Sequence, residues 1–310
     1  MMESHPFLFP NFKRPSADWM PEYSPVARKD SPFTDPMGCT WTTADDGITG
    51  TVIGHPLDDW SKFGTGWKIP DPETCNGLYP VDWATLEKEW KIIKDGGGTF
   101  YGSLRHGHTF LQLCDLQGYK NLMFDMVDDV PHLYDLIEQL TEFNLAIVKR
   151  FINNGCSLMA YPEDLGMQIG PMVSPEHFRR YIKPAYQKLM KPARDAGIAI
   201  QTHSNGDIRL LADDLIDSGV QSINLQDSVN GIDWIAERFR GKVCVDLDID
   251  RQNITPHGTP EMIDNLIKEE ITKIATPKGG LALTYGLYPG VPEENIIALM
   301  DALEKYAFIF

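Results

Sequence analysis

Cysteine is scarce and unpaired in this sequence: Cys39, Cys75, Cys114, Cys156 and Cys244 form an odd, widely spaced set with no Cys-x-x-Cys. That excludes a disulfide framework and a zinc-finger spacing, and fits reduced thiols in a cytoplasm. No apolar stretch reaches 18 residues, and Met1 to Arg14 lacks a basic start followed by an apolar run. Neither a membrane span nor a secretion signal is therefore expected. Positive charge is also short, with 28 Lys and Arg against 44 Asp and Glu, a formal net charge of −16 and no compact basic run. Such a chain repels phosphate backbones and anionic membranes, which argues against nucleic acid as a partner. Missing too are Gly-x-Gly-x-x-Gly and Walker motifs, a Gly-x-Ser-x-Gly elbow, and a Cys at a helix start beside a His. Dinucleotide, nucleotide and covalent hydrolase chemistry lose their usual signatures.

Apolar residues, by contrast, make up 42% of the chain and are spread along it, enough for a sizeable core. The 310 residues suit one large domain, since α/β barrels of about 250 residues plus insertions are common. Residues 1–80 are rich in Pro, Gly and Trp. Their periodic signal is an alternation around Thr40-Trp41-Thr42 and Gly50-Thr51-Val52-Ile53 across Asp45-Asp46-Gly47, which predicts a β-hairpin with an Asp-Gly turn. From about residue 83 helices alternate with short apolar strands, the texture of a parallel sheet built from βα units.

Six strands are predicted there: Gly98–Gly102, Leu158–Tyr161, Ile198–Thr202, Ser222–Leu225, Val243–Leu247 and Leu281–Thr284. Val130 to Asn153 carries apolar residues at helical spacing. Ser174-Pro175-Glu176 and Thr259-Pro260-Glu261 each set a capping hydroxyl before a Pro at the first helical position. Gly155, Gly197 and Gly219 fall where left-handed helix C-caps belong. Pattern alone does not separate a closed barrel from an open doubly wound sheet.

In parallel α/β folds the site gathers where strands end. Here those ends are polar: Glu163-Asp164, His203-Ser204-Asn205, Gln226-Asp227, Asp246 through Asp250, and Thr284-Tyr285. His203 is the leading candidate, since imidazole can ligate a metal, move a proton or orient substrate near neutral pH. Side chains alternate along a strand, so one of Glu163 and Asp164 points into a site, and Glu163 is favoured. Asp246, Asp248 and Asp250 share a face if their strand continues; Asp248 is the functional candidate. The plainer alternative for all of these is a solvated loop carboxylate. Asp207 reads as a helix cap. His106 and His108 form a His-x-His pair able to bind a metal if both rings point the same way, although surface histidines are commoner. Tyr285 and Tyr288 suit an aromatic pocket or barrel packing equally.

Three ordered segments resemble the uroporphyrinogen decarboxylase superfamily: Glu163-Asp164-Leu165-Gly166 through Gly170 to Phe178, His203-Ser204-Asn205-Gly206-Asp207-Ile208, and Pro292-Glu293-Glu294-Asn295-Ile296. The similarity reaches back to Gly38-Cys39-Thr40-Trp41 and Pro56 to Trp60. It implies a (β/α)8 TIM-type barrel over residues 81–310 with residues 1–80 as an N-terminal extension packed on it, one domain overall. The decarboxylases carry an Arg-Gln-Ala-Gly-Arg-Tyr segment for the porphyrinogen's acidic side chains, and nothing like it occurs here. The chain looks closer to the corrinoid-dependent methyltransferases. Members acting on thiols bind zinc through a His-x-Cys pair and a later Cys; here His203 matches, but Asn205 stands at the first Cys position and Leu287 or Tyr288 near the second. What remains resembles the methyltransferase component of O-demethylases.

The resemblance thus implies methyl transfer from a small methylated donor, foremost a methoxylated aromatic, to the cobalt of a corrinoid protein. His203, Glu163 and Tyr285 are the expected catalytic residues, and His203, Glu163 and Asp248 the expected ligands of a zinc ion. Expected partners are the methyl donor and the corrinoid protein, with a homodimer as the assembly. One rival is a decarboxylase of a small acid or porphyrinogen-like substrate, which needs a cationic anchor such as Arg105, Arg209 or Arg251. Another is a binding protein that kept the barrel and lost its metal.

Overall fold

The computed structural model describes residues 1–16 and 20–309. By packing, the chain divides into two units, residues 22–221 and residues 1–21 with 222–310.

In the first unit β1 (Phe33–Thr34), β2 (Thr40–Thr42) and β3 (Thr51–Gly54) form an antiparallel sheet in that order, with Trp41 opposite Val52. Gly47, in the segment joining β2 to β3, has φ +83°, a left-handed value that costs glycine nothing. Helix α1 (Trp83–Asp95) leads to β4 (Tyr101–Ser103), then α2 (Phe110–Gln117), α3 (Tyr119–Asp128) and α4 (Pro131–Asn153). Pro131 presets φ for the first turn of α4. Leu133, Leu136, Leu140, Phe143, Ile147 and Phe151 recur at helical spacing and are buried, so tertiary packing holds this helix. Strand β5 (Leu158–Pro162) follows, then a short turn α5 (Pro175–His177), α6 (Lys183–Asp195), β6 (Ala199–Ser204) and α7 (Ala212–Ser218). Strands β4, β5 and β6 are parallel neighbours, Ala160 pairing with Ser103 on one side and Gln201 on the other.

The second unit holds β7 (Ser222–Gln226), α8 (Asp227–Asn230), α9 (Ile232–Phe239), β8 (Cys244–Asp248), α10 (Ile254–His257), α11 (Pro260–Ile274), β9 (Leu281–Thr284) and α12 (Glu293–Tyr306). Strands β7, β8 and β9 are again parallel. Ile249, Ile263, Ile267, Ile271 and Leu299 anchor its core.

All six predicted strands are present, with shifted ends. The two Ser/Thr-Pro-Glu helix starts are capped as expected: Ser174 Oγ accepts from the His177 amide and Thr259 Oγ1 from Met262. Gly155, Gly197 and Gly219 all have positive φ. Among the described residues no helix is long and apolar enough to cross a membrane.

Candidate metal centre

Strand β6 ends in His203 and Ser204, and the chain then turns at Gly206, whose φ is +78°. The neighbouring turn after β5 contains Gly166. A Cβ on Gly206 would lie 2.2 Å from the Gly166 carbonyl carbon, and one on Gly166 would lie 2.4 Å from that of Gly206. Two glycines thus let two backbones touch. Hydrogen bonds then join the loops along their length. Glu163 N donates to His203 O (2.9 Å), Leu165 N to Ser204 Oγ (2.9 Å), Gly166 N to Asn205 O (3.2 Å) and Asp207 N to Met167 O (2.8 Å).

This close approach sets Asp164 beside His203. Asp164 Oδ1 accepts the Asn205 amide at 2.9 Å and lies 3.4 Å from His203 Nε2. From the loop after β4, His106 Nε2 reaches the same oxygen, also at 3.4 Å. That loop is fixed by the Gly107 amide donating to Pro162 O (2.9 Å) and by Arg105 Nε donating to His106 O (3.0 Å). The two imidazole rings stand 5.5 Å apart, and the three ligand atoms lie within 4.8 Å of one another. Burial alone would raise the Asp164 pKa. His106 and His203 beside it, with the Asn205 amide, instead hold it well below the usual carboxylate range. It is an anion at neutral pH.

Two imidazoles and one carboxylate are a familiar donor set for zinc and other first-row divalent ions. Ligands about 2.0–2.1 Å from a tetrahedral ion lie roughly 3.4 Å from each other, the spacing found for both histidines around Asp164. All three side chains remain partly exposed, at 47% for His106 and 27% for Asp164 and His203, so a small molecule can approach. The donors fit a divalent cation without a thiolate. Cys39, Cys75, Cys114 and Cys156 are buried, and burial raises each thiol's pKa.

Glu163, expected in this cluster, points the other way. It is fully buried. Its Oε2 accepts from the amides of Thr109 (3.1 Å) and Phe110 (3.0 Å) and from Tyr186 OH (2.8 Å), and its Oε1 from Leu111 N (2.9 Å). A carboxylate from β5 therefore caps α2 in place of Thr109, whose hydroxyl lies 2.6 Å from His108 Nδ1. Asp164 takes the position that alternation left open between the pair. His108 does not join His106. It is wholly buried, with Nε2 4.0 Å from Glu163 Oε2, and burial lowers its pKa to about 3. A buried neutral imidazole and an exposed ligand thus alternate along two residues. His106 and Asp164 are the residues that the structure sets beside His203, where the sequence had favoured Glu163 and Asp248.

Asp248 and Tyr285, the other expected site residues, belong to the second unit. Asp248 is buried and lies 3.3 Å from Arg251. Tyr285 donates to Thr255 Oγ1 at 2.9 Å, and its ring packs against the unit's core. Asp250 accepts amides of Gln252, Asn253 and Ile254 at the start of α10, while Asp246 accepts from Thr284 Oγ1 at 2.6 Å. Asp207, the predicted cap, instead holds Arg209 and the Gly170 amide.

Beneath this end of β7 and β8, Asp227 Oδ2 accepts the Asp250 amide at 3.0 Å and its carboxyl meets that of Glu270, on α11. Glu270 is fully buried and, among the described residues, neither of its oxygens has a hydrogen-bond donor. Burial raises both acids, Glu270 further than Asp227, so the pair holds a proton at neutral pH. Because the folded state holds a proton that the unfolded chain releases near pH 4.5, the pair's contribution to stability is greatest below that value. That contribution is lost as pH rises through the pair's raised folded-state range, by at most ~1.4 kcal/mol per pH unit for one proton. Glu270→Gln keeps a donor and has no proton to lose. Urea midpoints at pH 6 and pH 8.5 should fall for the wild type and stay level for this variant; parallel falls would sink the assignment.

Residues 108–306 match the family model described as uroporphyrinogen decarboxylase (URO-D). The chain belongs to that family. It is 26% identical over 178 residues to uroporphyrinogen decarboxylase of Thermus thermophilus, covering 56% of this chain and 48% of the relative. It is 22% identical over 182 residues to that of Pongo abelii, covering 56% and 47%. The chain spans about half the length of the curated relatives it matches. Its fold is similar to that of a solved methyltransferase from Methanosarcina mazei, with a TM-score of 0.63 and 20% identity over 87% of this chain and 76% of that one. Its fold is α/β, with structural neighbours of TIM-barrel type.

Proposed function

We propose that the protein is a corrinoid-dependent methyltransferase, taking the methyl group of a methoxylated aromatic donor and passing it to the cobalt of a corrinoid carried by a partner protein. The observation that carries this reading is the centre of His106, Asp164 and His203, which has oxygen and nitrogen donors and no thiolate. Thiolate-free sites favour an ether oxygen over a thiol as the group to be activated. A divalent cation held there would supply Lewis acidity to that oxygen.

The chain's own contribution is to keep the donors in place. The Asn205 amide and the two imidazoles keep Asp164 charged, and the joined loops after β5 and β6 hold it against His203. In the proposed reaction the methyl–oxygen bond would break with its electron pair staying on oxygen, cobalt(I) of the partner's corrinoid would supply the pair for its bond to the methyl carbon and become formally cobalt(III), and the oxygen would take a proton from solvent. A phenolic leaving group, whose acid has a pKa of about 10, makes that cleavage easier than an alkoxide would. This is why the aromatic ether is preferred.

The rival with support is a decarboxylase, since the named relatives are decarboxylases. It needs a cation for the substrate's carboxylate, and each candidate already contacts an acid of this chain. Arg105 lies 2.8 Å from Asp115, Arg209 2.7 Å from Asp207 and Arg251 3.3 Å from Asp248. Incubation with free cob(I)alamin and methoxyaromatics, methylamines or methylthiols separates the readings. Methylation of the cobalt by methoxyaromatics is the expected outcome; carbon dioxide release from an acid without corrinoid would establish the rival.

A further inference from the structure

We infer that Glu163 is a positioning residue for the metal centre, acting on His106 and Asp164 from below without touching the ion; this rests on reading His106, Asp164 and His203 as ligands. Three strand ends carry those ligands, and Glu163 bonds to the segments of all three. Its peptide nitrogen donates to His203 O, its own carbonyl leads into Asp164, and its carboxylate holds the amides of Thr109, Phe110 and Leu111. Those amides lie three to five residues beyond His106. The loop between is short and itself tied to β5 through Gly107, so where the first turn of α2 sits decides where the His106 ring points.

A buried carboxyl group with this many partners has little freedom, although burial raises its pKa. Tyr186 OH fixes Oε2 from the side of α6, and the adjoining His108 ring is packed against Tyr186 at 5.3 Å between centroids. The carboxyl group also meets the positive end of α2, whose N-cap residue makes no side-chain cap bond of its own. Its replacement by an amide turns one acceptor into a donor aimed at other donors, and the turn must shift. Buried groups outside a metal's ligand shell typically change its affinity by about 10–100-fold when altered.

Cobalt(II) alone is the probe, followed by its visible absorption, together with imidazole ¹H–¹⁵N signals of the metal-free protein. Folded Glu163→Gln should bind cobalt(II) about 10–100-fold more weakly than wild type and displace the His106 signals, with the His257 signals unmoved. Wild-type affinity and unmoved His106 signals in that variant would overturn the role. If Glu163→Gln does not fold, Tyr186→Phe decides, because it removes one of the four bonds to the carboxylate: weakening on the order of threefold supports the role, and unchanged binding overturns it. Should wild-type protein bind no cobalt(II), the ligand reading fails by itself, and the His106 signals still decide whether Glu163 orients that ring.

Discussion

His203→Ala is expected to lower methyl transfer to cob(I)alamin by at least ~10³-fold, about 4 kcal/mol of transition-state stabilisation, while leaving the fold intact. The imidazole is one of three donors around Asp164, and two remaining donors hold a divalent ion poorly. The fold should survive because backbone atoms of His203 tie it to the β5 segment: it pairs with Pro162 and its carbonyl accepts the Glu163 amide. Its side chain is partly exposed, so truncation opens no sealed cavity. Circular dichroism and turnover measured together check both halves. Turnover within tenfold of wild type would mean that His203 does not carry the chemistry.

Gly206→Ala is expected to damage the same centre by a different route. The added methyl meets backbone atoms of Gly166 at 2.2 and 2.3 Å, and backbone at this position has no rotamer by which to retreat. The left-handed φ of +78° adds strain of its own. Together these should cost about 2–4 kcal/mol of stability unless the loops part. If they part, the contact between Asp164 and His203 is lost instead. Urea denaturation and turnover should therefore show reduced stability, turnover below about 1% of wild type, or both. Wild-type values in both would mean that the close approach of Gly166 and Gly206 is not needed.

The contrast between Gly206 and Glu163 explains what the sequence made legible. The strands, two helix starts and the helix-ending glycines were readable because each is written in local periodicity, in a Ser/Thr-Pro-Glu start, or in a glycine after a helix. The importance of His203 followed from such a position and from resemblance. Its partners did not. Alternation says that Glu163 and Asp164 point opposite ways but not which points to the histidines; that depends on the N-terminus of α2, 52 to 54 residues earlier, drawing Glu163 inward. In the same way His106 and His108 look equivalent in sequence, and only the packing of Tyr186 and Tyr161 around His108 separates them. A glycine at 206 marks a turn in the sequence, and only the structure shows that the neighbour it admits is Gly166. Choices made by distant backbone leave no local mark.

X-ray absorption on zinc-loaded protein tests the thiolate-free centre most directly. The expected first shell is two imidazole nitrogens and a carboxylate oxygen at about 2.0–2.1 Å, with no sulfur, and His203→Ala should lose it. A sulfur scatterer at about 2.3 Å, or a shell unchanged in His203→Ala, would contradict the centre.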